Sequence, residues 1–272
     1  MFAVVKVPVL DMRAKPQNGS GRVSQARLGD NLALEQRSGE YFQVRSDDDY
    51  RGWVRVSDVV GARGERYARR GDVMVVDALF EPVSSSPTDL RLIQVAPMGS
   101  VLQVSGRKGG WPKVVLPDGQ IGFARTREIR NARNPFRRES VGKIVQRALT
   151  LAGAPYLWGG TTPWGLDCSG FVQLAFKMGG YQLLRDADMQ FDGNGEAVSK
   201  RNAKSGDLLF FRGRKSPKVG HVAMYLGRGL MIHASGSRGI VLVEPVSRLE
   251  KSLVGIKRIV RDKTDSHPKH HT

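Results

Sequence analysis

The spacing of apolar and polar positions changes near residue 131. Before it, short alternating runs are separated by turn residues. Leu32 to Gln36 alternates, Ser38-Gly39 turns the chain, and Tyr41 to Arg45 alternates again. Asp47-Asp48-Asp49 makes a polar turn and Gly52-Trp53-Val54 opens a further run. About five short strands in roughly 60 residues predict a small closed barrel. After residue 131, Val141, Ile144, Val145, Ala148, Leu151 and Ala152 fall at helical spacing, and Gly153 with Pro155 ends the run. A second apolar helix is predicted from Ser169 through Phe171, Val172, Leu174, Ala175 and Phe176. Strand-like runs follow at Asp207 to Phe211, His221 to Leu226, Leu230 to Ala234 and Ile240 to Val243. Helices first and strands afterwards predict an α+β domain.

The barrel pattern occurs twice, with an offset of 70 residues. Leu28-Gly29-Asp30 answers Met98-Gly99-Ser100, Tyr41-Phe42-Gln43-Val44 answers Trp111-Pro112-Lys113-Val114, and Tyr50-Arg51-Gly52-Trp53-Val54 answers Gln120-Ile121-Gly122-Phe123-Ala124. Such a period means duplicated domains rather than a solenoid. The expected division is a first barrel over 1–62, a second over 63–130, a polar linker over 131–138, the α+β domain over 139–262 and a disordered tail over 263–272. The aromatic strand, Asp-rich turn and Gly-Trp-Val segment resemble bacterial SH3-like domains.

Composition adds two constraints. The formal net charge is +17, with most of the excess after residue 131, so an anionic partner is expected. No zinc-ligand pairs, phosphate loop or row of stacking aromatics accompanies that charge, so nucleic acid is not expected as a partner. No apolar run approaches the ~18–20 residues of a membrane span, and membrane association is not expected. The start, Met1 to Pro8, does not read as a secretory signal. A cytoplasmic location is therefore expected, with a secreted or wall-associated protein as the alternative.

The chemistry centres on the single cysteine, Cys168. It sits at the start of the second predicted helix, where the helix dipole and backbone N–H groups favour a thiolate. His221 and His233 lie in consecutive strand-like runs joined by Gly227-Arg228-Gly229. If that loop pairs Leu226 with Leu230, Ala223 stands opposite His233, and His221 is diagonal to it on the same face. A two-residue loop would put the two imidazoles on opposite faces. A thiol, a base and a group that orients the base make a nucleophilic hydrolase. A zinc site from the same three residues is disfavoured because no local ligand pair exists. Neither a metal nor a cofactor is expected.

Five segments in order resemble the NlpC-type cysteine peptidases, cell-wall endopeptidases with a papain-like core. They are Tyr156-Leu157-Trp158-Gly159-Gly160, Asp167-Cys168-Ser169-Gly170, Gly206 to Phe211, Gly220 to Gly227, and His233-Ala234. With two SH3-like barrels in front, the architecture is similar to γ-D-glutamyl-L-diamino acid endopeptidases that act on free muropeptides. The resemblance implies Cys168 as nucleophile, His221 as base and His233 as its orienter. It implies Tyr156 beside the Cys168 N–H at the oxyanion, and Trp158 lining the substrate channel. Asp167 and Ser169 would hold the N-terminal dipeptide, although Asp167 also reads as a helix cap. Tyr50 would close the groove from the first barrel. Where relatives carry a barrel glutamate, Gly19 to Gln25 has none. The expected partner is a peptidoglycan stem peptide or muropeptide. An anionic-polymer-binding or wall-associated role on intact peptidoglycan is the alternative. The basic run Arg212 to Lys218 reads as a solvated loop or a contact for carboxylates.

Overall fold

The computed structural model describes residues 1–62, 66–89, 91–126, 128–213 and 217–260. The tail with its three histidines, and the centre of the basic run at 214–216, lie outside them.

The first barrel is one antiparallel sheet of seven strands. Its order is Arg22–Arg27, Val9–Arg13, Arg51–Arg55, Tyr41–Arg45, Asn31–Ser38, Phe2–Val5 and Val59–Ala62. Alternate side chains point inward, as period-2 patterning requires. Leu10, Met12, Ala26, Leu32, Val44 and Val54 form the core. The second sheet repeats that order with Leu92–Pro97, Phe80–Ser84, Ile121–Ala124, Trp111–Val115, Val101–Lys108, Asp72–Val75 and Arg130–Asn131. The duplication extends to irregularities: a bulge between Leu34 and Gln36 recurs between Val104 and Gly106. It also explains a shared glycine. A Cβ on Gly52 would stand 2.8 Å from Met12 Cβ, and one on Gly122 would stand 2.3 Å from Val83 Cγ1. Neither barrel core has room for a side chain there.

Among the described residues each barrel has seven strands where five were expected, because its first and last strands, Phe2–Val5 with Val59–Ala62 and Asp72–Val75 with Arg130–Asn131, pair with each other across nearly the whole length of the barrel. The second barrel also runs into the expected linker. Asn131 pairs with Asp72, and Ala132 is buried beside Val73.

Among its described residues the α+β domain has three α-helices, a six-stranded sheet and a separate two-stranded one. Helix α1 spans Val141–Thr150, α2 Cys168–Met178 and α3 Ala187–Gly193. The sheet order is Glu196–Ala197, Leu253–Arg258, Leu208–Arg212, Val219–Gly227, Leu230–Ser235 and Ile240–Pro245. Helix α2 is buried nearly all round, from Cys168 to Phe176. A helix apolar on every side belongs inside a core, and here α2 packs against α1, the sheet and the first barrel. Burying Phe171 or Phe176 contributes roughly 1.5–3 kcal/mol each. Leu208, Phe210, Val222, Met224, Ile232 and Ala234 face the helices, while Leu209, Phe211, Ala223 and Met231 face the opposite side. Helix α3 and the strand Leu253–Arg258 were not anticipated.

Candidate active site

Helix α2 begins at Cys168 because Asp167 caps it: the Asp167 side chain accepts the Gly170 N–H at 2.6 Å. Gly170 has no alternative, since a Cβ there would stand 2.2 Å from the Gly160 carbonyl oxygen. That contact presses the helix start against the Thr161–Leu166 hairpin. Cys168 is 9% exposed, and the backbone N–H groups of Ser169 and Val222 donate toward its sulfur. The Val222 donor places the sulfur at the strand that carries His221.

Burial works against the thiolate expected from a helix start. Desolvation, reinforced by the Asp167 carboxylate, pushes the Cys168 thiol up to about 12. Desolvation and the neighbouring His233 push His221 down to about 3. Burial thus favours the neutral form of each, a thiol at Cys168 and an uncharged imidazole at His221.

The two histidines meet as the hairpin reading required, by a route it did not foresee. The turn has two central residues, Arg228 and Gly229, both with positive φ (51° and 74°), and Gly227 pairs with Leu230. This is the backbone of a type I′ turn. Alone it would place the rings on opposite faces. A bulge between Tyr225 and Gly227 adds one residue, so Tyr225 pairs with Met231 and Met224 with Ile232. Parity is restored, and His221 Nε2 lies 2.7 Å from His233 Nδ1. His233 Nε2 lies in turn 2.9 Å from Glu244 Oε1. Burial holds His233 below its ordinary value against the opposing pull of Glu244.

Tyr156 sits at the same cluster. Its hydroxyl is pushed up to about 12, first by burial and then by the nearby Cys168 and Asp167. Its ring packs within 3.3 Å of where a Gly236 side chain would begin.

Asp167 and Ser169 are engaged within the protein. Arg185, 0% exposed, donates from Nη1 to Asp167 Oδ1 at 3.1 Å and from Nη2 to Oδ2 at 2.6 Å. Ser169 Oγ accepts from Arg185 at 2.9 Å and donates to Asp167 at 3.1 Å. The Gly159 N–H also donates to Asp167. The third arm of Arg185, Nε, reaches Ser24 of the first barrel at 2.9 Å. Trp158 is 73% exposed, anchored through its carbonyl, which accepts from Arg22 at 3.1 Å.

Tyr50 comes from the first barrel and donates to Asp186 Oδ2 at 2.9 Å. Asp186 is half-buried, and burial raises its carboxyl above the ordinary value. Sequence reasoning missed Arg185, Asp186 and Glu244. The only local signal was Asp186 just before α3, where an aspartate reads as a helix cap.

The barrel is fixed to the domain by further bonds. Arg27 donates to the Thr161 carbonyl at 2.7 Å, Thr161 N donates to Gln25 at 3.1 Å, and Gln173 donates to Asp48 at 2.8 Å. A cavity of about 330 Å³ lies at the junction of both barrels and the α+β domain, reached by Gln173 and Lys177 of α2. None of Cys168, Tyr156, His221 or His233 lines it. Among the described residues no group of three His, Cys, Asp or Glu is placed to hold a metal ion. No helix among them is long and apolar enough to cross a membrane.

The arrangement can therefore perform nucleophilic acyl transfer, and comparison with known proteins agrees. The NlpC/P60 family model matches residues 153–258, and that of the bacterial dipeptidyl-peptidase SH3 domain matches residues 12–59. Dipeptidyl-peptidase 6 of Lysinibacillus sphaericus is 28% identical over 86% of this chain and 88% of its own length. A gamma-D-glutamyl-L-lysine dipeptidyl-peptidase of Bacillus cereus is 28% identical over 89% of this chain and 76% of its own. The crystal structure of an NlpC/P60 family protein from Bacillus cereus superposes with a TM-score of 0.85, at 21% identity, covering 96% of this chain and 100% of that one. This likeness shows the fold: SH3-like barrels preceding a papain-like domain. With a thiol on a capped helix, an imidazole pair on the adjoining hairpin and both family matches in place, residues 153–258 are an NlpC/P60 cysteine peptidase domain with an SH3-like all-β region in front.

Proposed function

We propose that this peptidase hydrolyses the γ-D-glutamyl–diamino acid bond of free peptidoglycan stem peptides, of which L-Ala-γ-D-Glu-diaminopimelate is the expected form. Cys168 attacks the γ-glutamyl carbonyl as its thiol proton passes to His221. His221 receives the proton on Nδ1, the nitrogen not engaged by His233, and returns it to the departing amine. The first-turn N–H of Cys168, which has no intrahelical acceptor, and the Tyr156 hydroxyl stabilise the oxyanion. Water then cleaves the thioester by the same exchange in reverse.

One observation carries the substrate assignment: Tyr50 and Asp186 meet across the boundary between barrel and peptidase domain. Asp167 is saturated by Arg185, Ser169 and two backbone N–H groups, so the substrate's ammonium falls to Asp186. Burial raises the Asp186 carboxyl, which means its anion lacks sufficient compensation until a cation arrives. The barrel supplies Tyr50 in place of an acid and closes the groove, while Trp158 walls its open side. The relatives' name, dipeptidyl-peptidase, supports release of a dipeptide.

The test compares kcat/KM for the free and the N-acetylated tripeptide. Loss of a charge-assisted pair at a half-buried carboxylate costs about 1.5–3 kcal/mol, so acetylation should lower kcat/KM by roughly 10–100-fold. Comparable values would remove the free-amine requirement and favour the intact wall as substrate. Replacing diaminopimelate by lysine in both peptides tests the diamino acid separately.

A further inference from the structure

We propose that Glu244 is a positioning residue for the peptidase reaction, holding both imidazoles in the tautomer that leaves His221 Nδ1 able to accept the thiol proton. The inference rests on the assignment of Cys168 and His221 as nucleophile and base. It extends that assignment by one residue, on a strand where nothing in the sequence marked a functional group.

A carboxylate can only accept hydrogen bonds. With Glu244 Oε1 at 2.9 Å, His233 Nε2 must therefore carry the proton. Burial favours the neutral form of His233, whose Nδ1 then has a lone pair and accepts. His221 Nε2, 2.7 Å away, must then donate. Burial favours the neutral form of His221 as well, which leaves its Nδ1 unprotonated. The proton positions along the whole chain follow from one acceptor-only group at its end.

Without that group the order can reverse. A proton on His233 Nδ1 would force His221 Nε2 to accept, and the His221 proton would move to Nδ1. A protonated Nδ1 cannot act as a base. The tautomer therefore bears directly on the chemistry, in the way a buried carboxylate orients a catalytic imidazole elsewhere.

Glu244 is placed to hold one position. Its side chain is 12% exposed, and it lies opposite Met231 in the register of Leu230–Ser235 with Ile240–Pro245. Its second oxygen, Oε2, lies 3.9 Å from Arg238 Nε.

The experiment uses the full chain with ¹⁵N-labelled histidine. Imidazole nitrogen shifts report the tautomer of His221 and His233, and steady-state kinetics are run on the free tripeptide. The wild type should show both rings protonated at Nε2. Glu244→Ala should move the proton of at least one ring to Nδ1. It should lower kcat by about 10–100-fold, the range for outer partners of functional histidines, and leave KM within about twofold. Glu244→Gln, whose carbonyl oxygen can still accept from His233, should keep the Nε2 pattern and most of the rate. An unchanged tautomer pattern with kcat within about twofold in Glu244→Ala would overturn the proposal, as would a Glu244→Gln variant no better than Glu244→Ala. Failure of the nucleophile assignment would look different: Cys168→Ala would stay active while the wild-type tautomers remained as described.

Discussion

The Tyr50 hydroxyl donates to Asp186 Oδ2 at 2.9 Å, joining residues 136 positions apart in two different domains. The bond engages a half-buried carboxylate just before α3, and the barrel, rather than the peptidase domain, supplies its partner; the proposed function makes that carboxylate the site of the substrate's amine. Asp186→Asn keeps the shape and removes the charge. It should lower kcat/KM for the free tripeptide by roughly 10–100-fold, chiefly through KM. The already slow N-acetylated peptide should be unaffected. Equal losses on both peptides would show that Asp186 does not meet the amine.

Arg185 and Asp167 form an ion pair that is almost wholly out of water. Breaking such a pair from one side leaves an uncompensated buried charge and costs about 3–5 kcal/mol. Arg185→Met should lose stability of that order in urea unfolding, with the unfolding slope unchanged. A loss below about 1 kcal/mol would mean that water reaches Asp167 and that the pair is not structural.

Much of this arrangement was legible in the chain, and the limits have physical causes. The offset of 70 residues anticipated two barrels because pairing within each is local and repeats down to the bulges at Leu34/Gln36 and Val104/Gly106. Helices α1 and α2 followed from spacing and from the Asp167 cap. The strand Leu253–Arg258 did not, since it pairs with Leu208–Arg212, far back in the chain. Arg185, Asp186 and Glu244 escaped for a related reason. Each acts through a partner brought by tertiary folding, and by pattern alone each reads as a solvated charge. The hairpin shows a compensation: a two-residue turn and a bulge each shift the alternation by one, and together they return His221 to the face of His233.

The thiol was expected to ionise readily from its helix position, and the structure reverses that expectation. With Cys168 pushed up to about 12 and His221 down to about 3, alkylation by iodoacetamide should rise with pH through and beyond ~8.5, the ordinary thiol value. A plateau reached near pH 6 would instead show a thiolate–imidazolium resting pair. His221 gives a matching stability signature. Its folded value lies below its unfolded one, so between pH ~6.5 and about 3 the unfolded chain binds more protons. Stability should decline as pH falls through that window, and His221→Gln should flatten this part of the profile.

The histidines differ in what they do, so their losses should differ. His221→Ala removes the base and should cost nearly as much rate as losing the thiol, because the two act as one unit. His233→Ala removes a partner 2.7 Å from His221, and packing against Phe211 keeps part of the orientation. Its loss should be the smaller by at least about tenfold. A harmless His233→Ala together with a mild His221→Ala would contradict the assigned roles.

The most direct test of the central claim is to incubate the wild type and Cys168→Ala with L-Ala-γ-D-Glu-diaminopimelate and identify the products by mass spectrometry. The wild type should release L-Ala-γ-D-Glu and diaminopimelate only, while Cys168→Ala, with an unchanged unfolding midpoint at neutral pH, releases neither. Cleavage at the L-Ala–D-Glu bond, or the same products from Cys168→Ala, would contradict it.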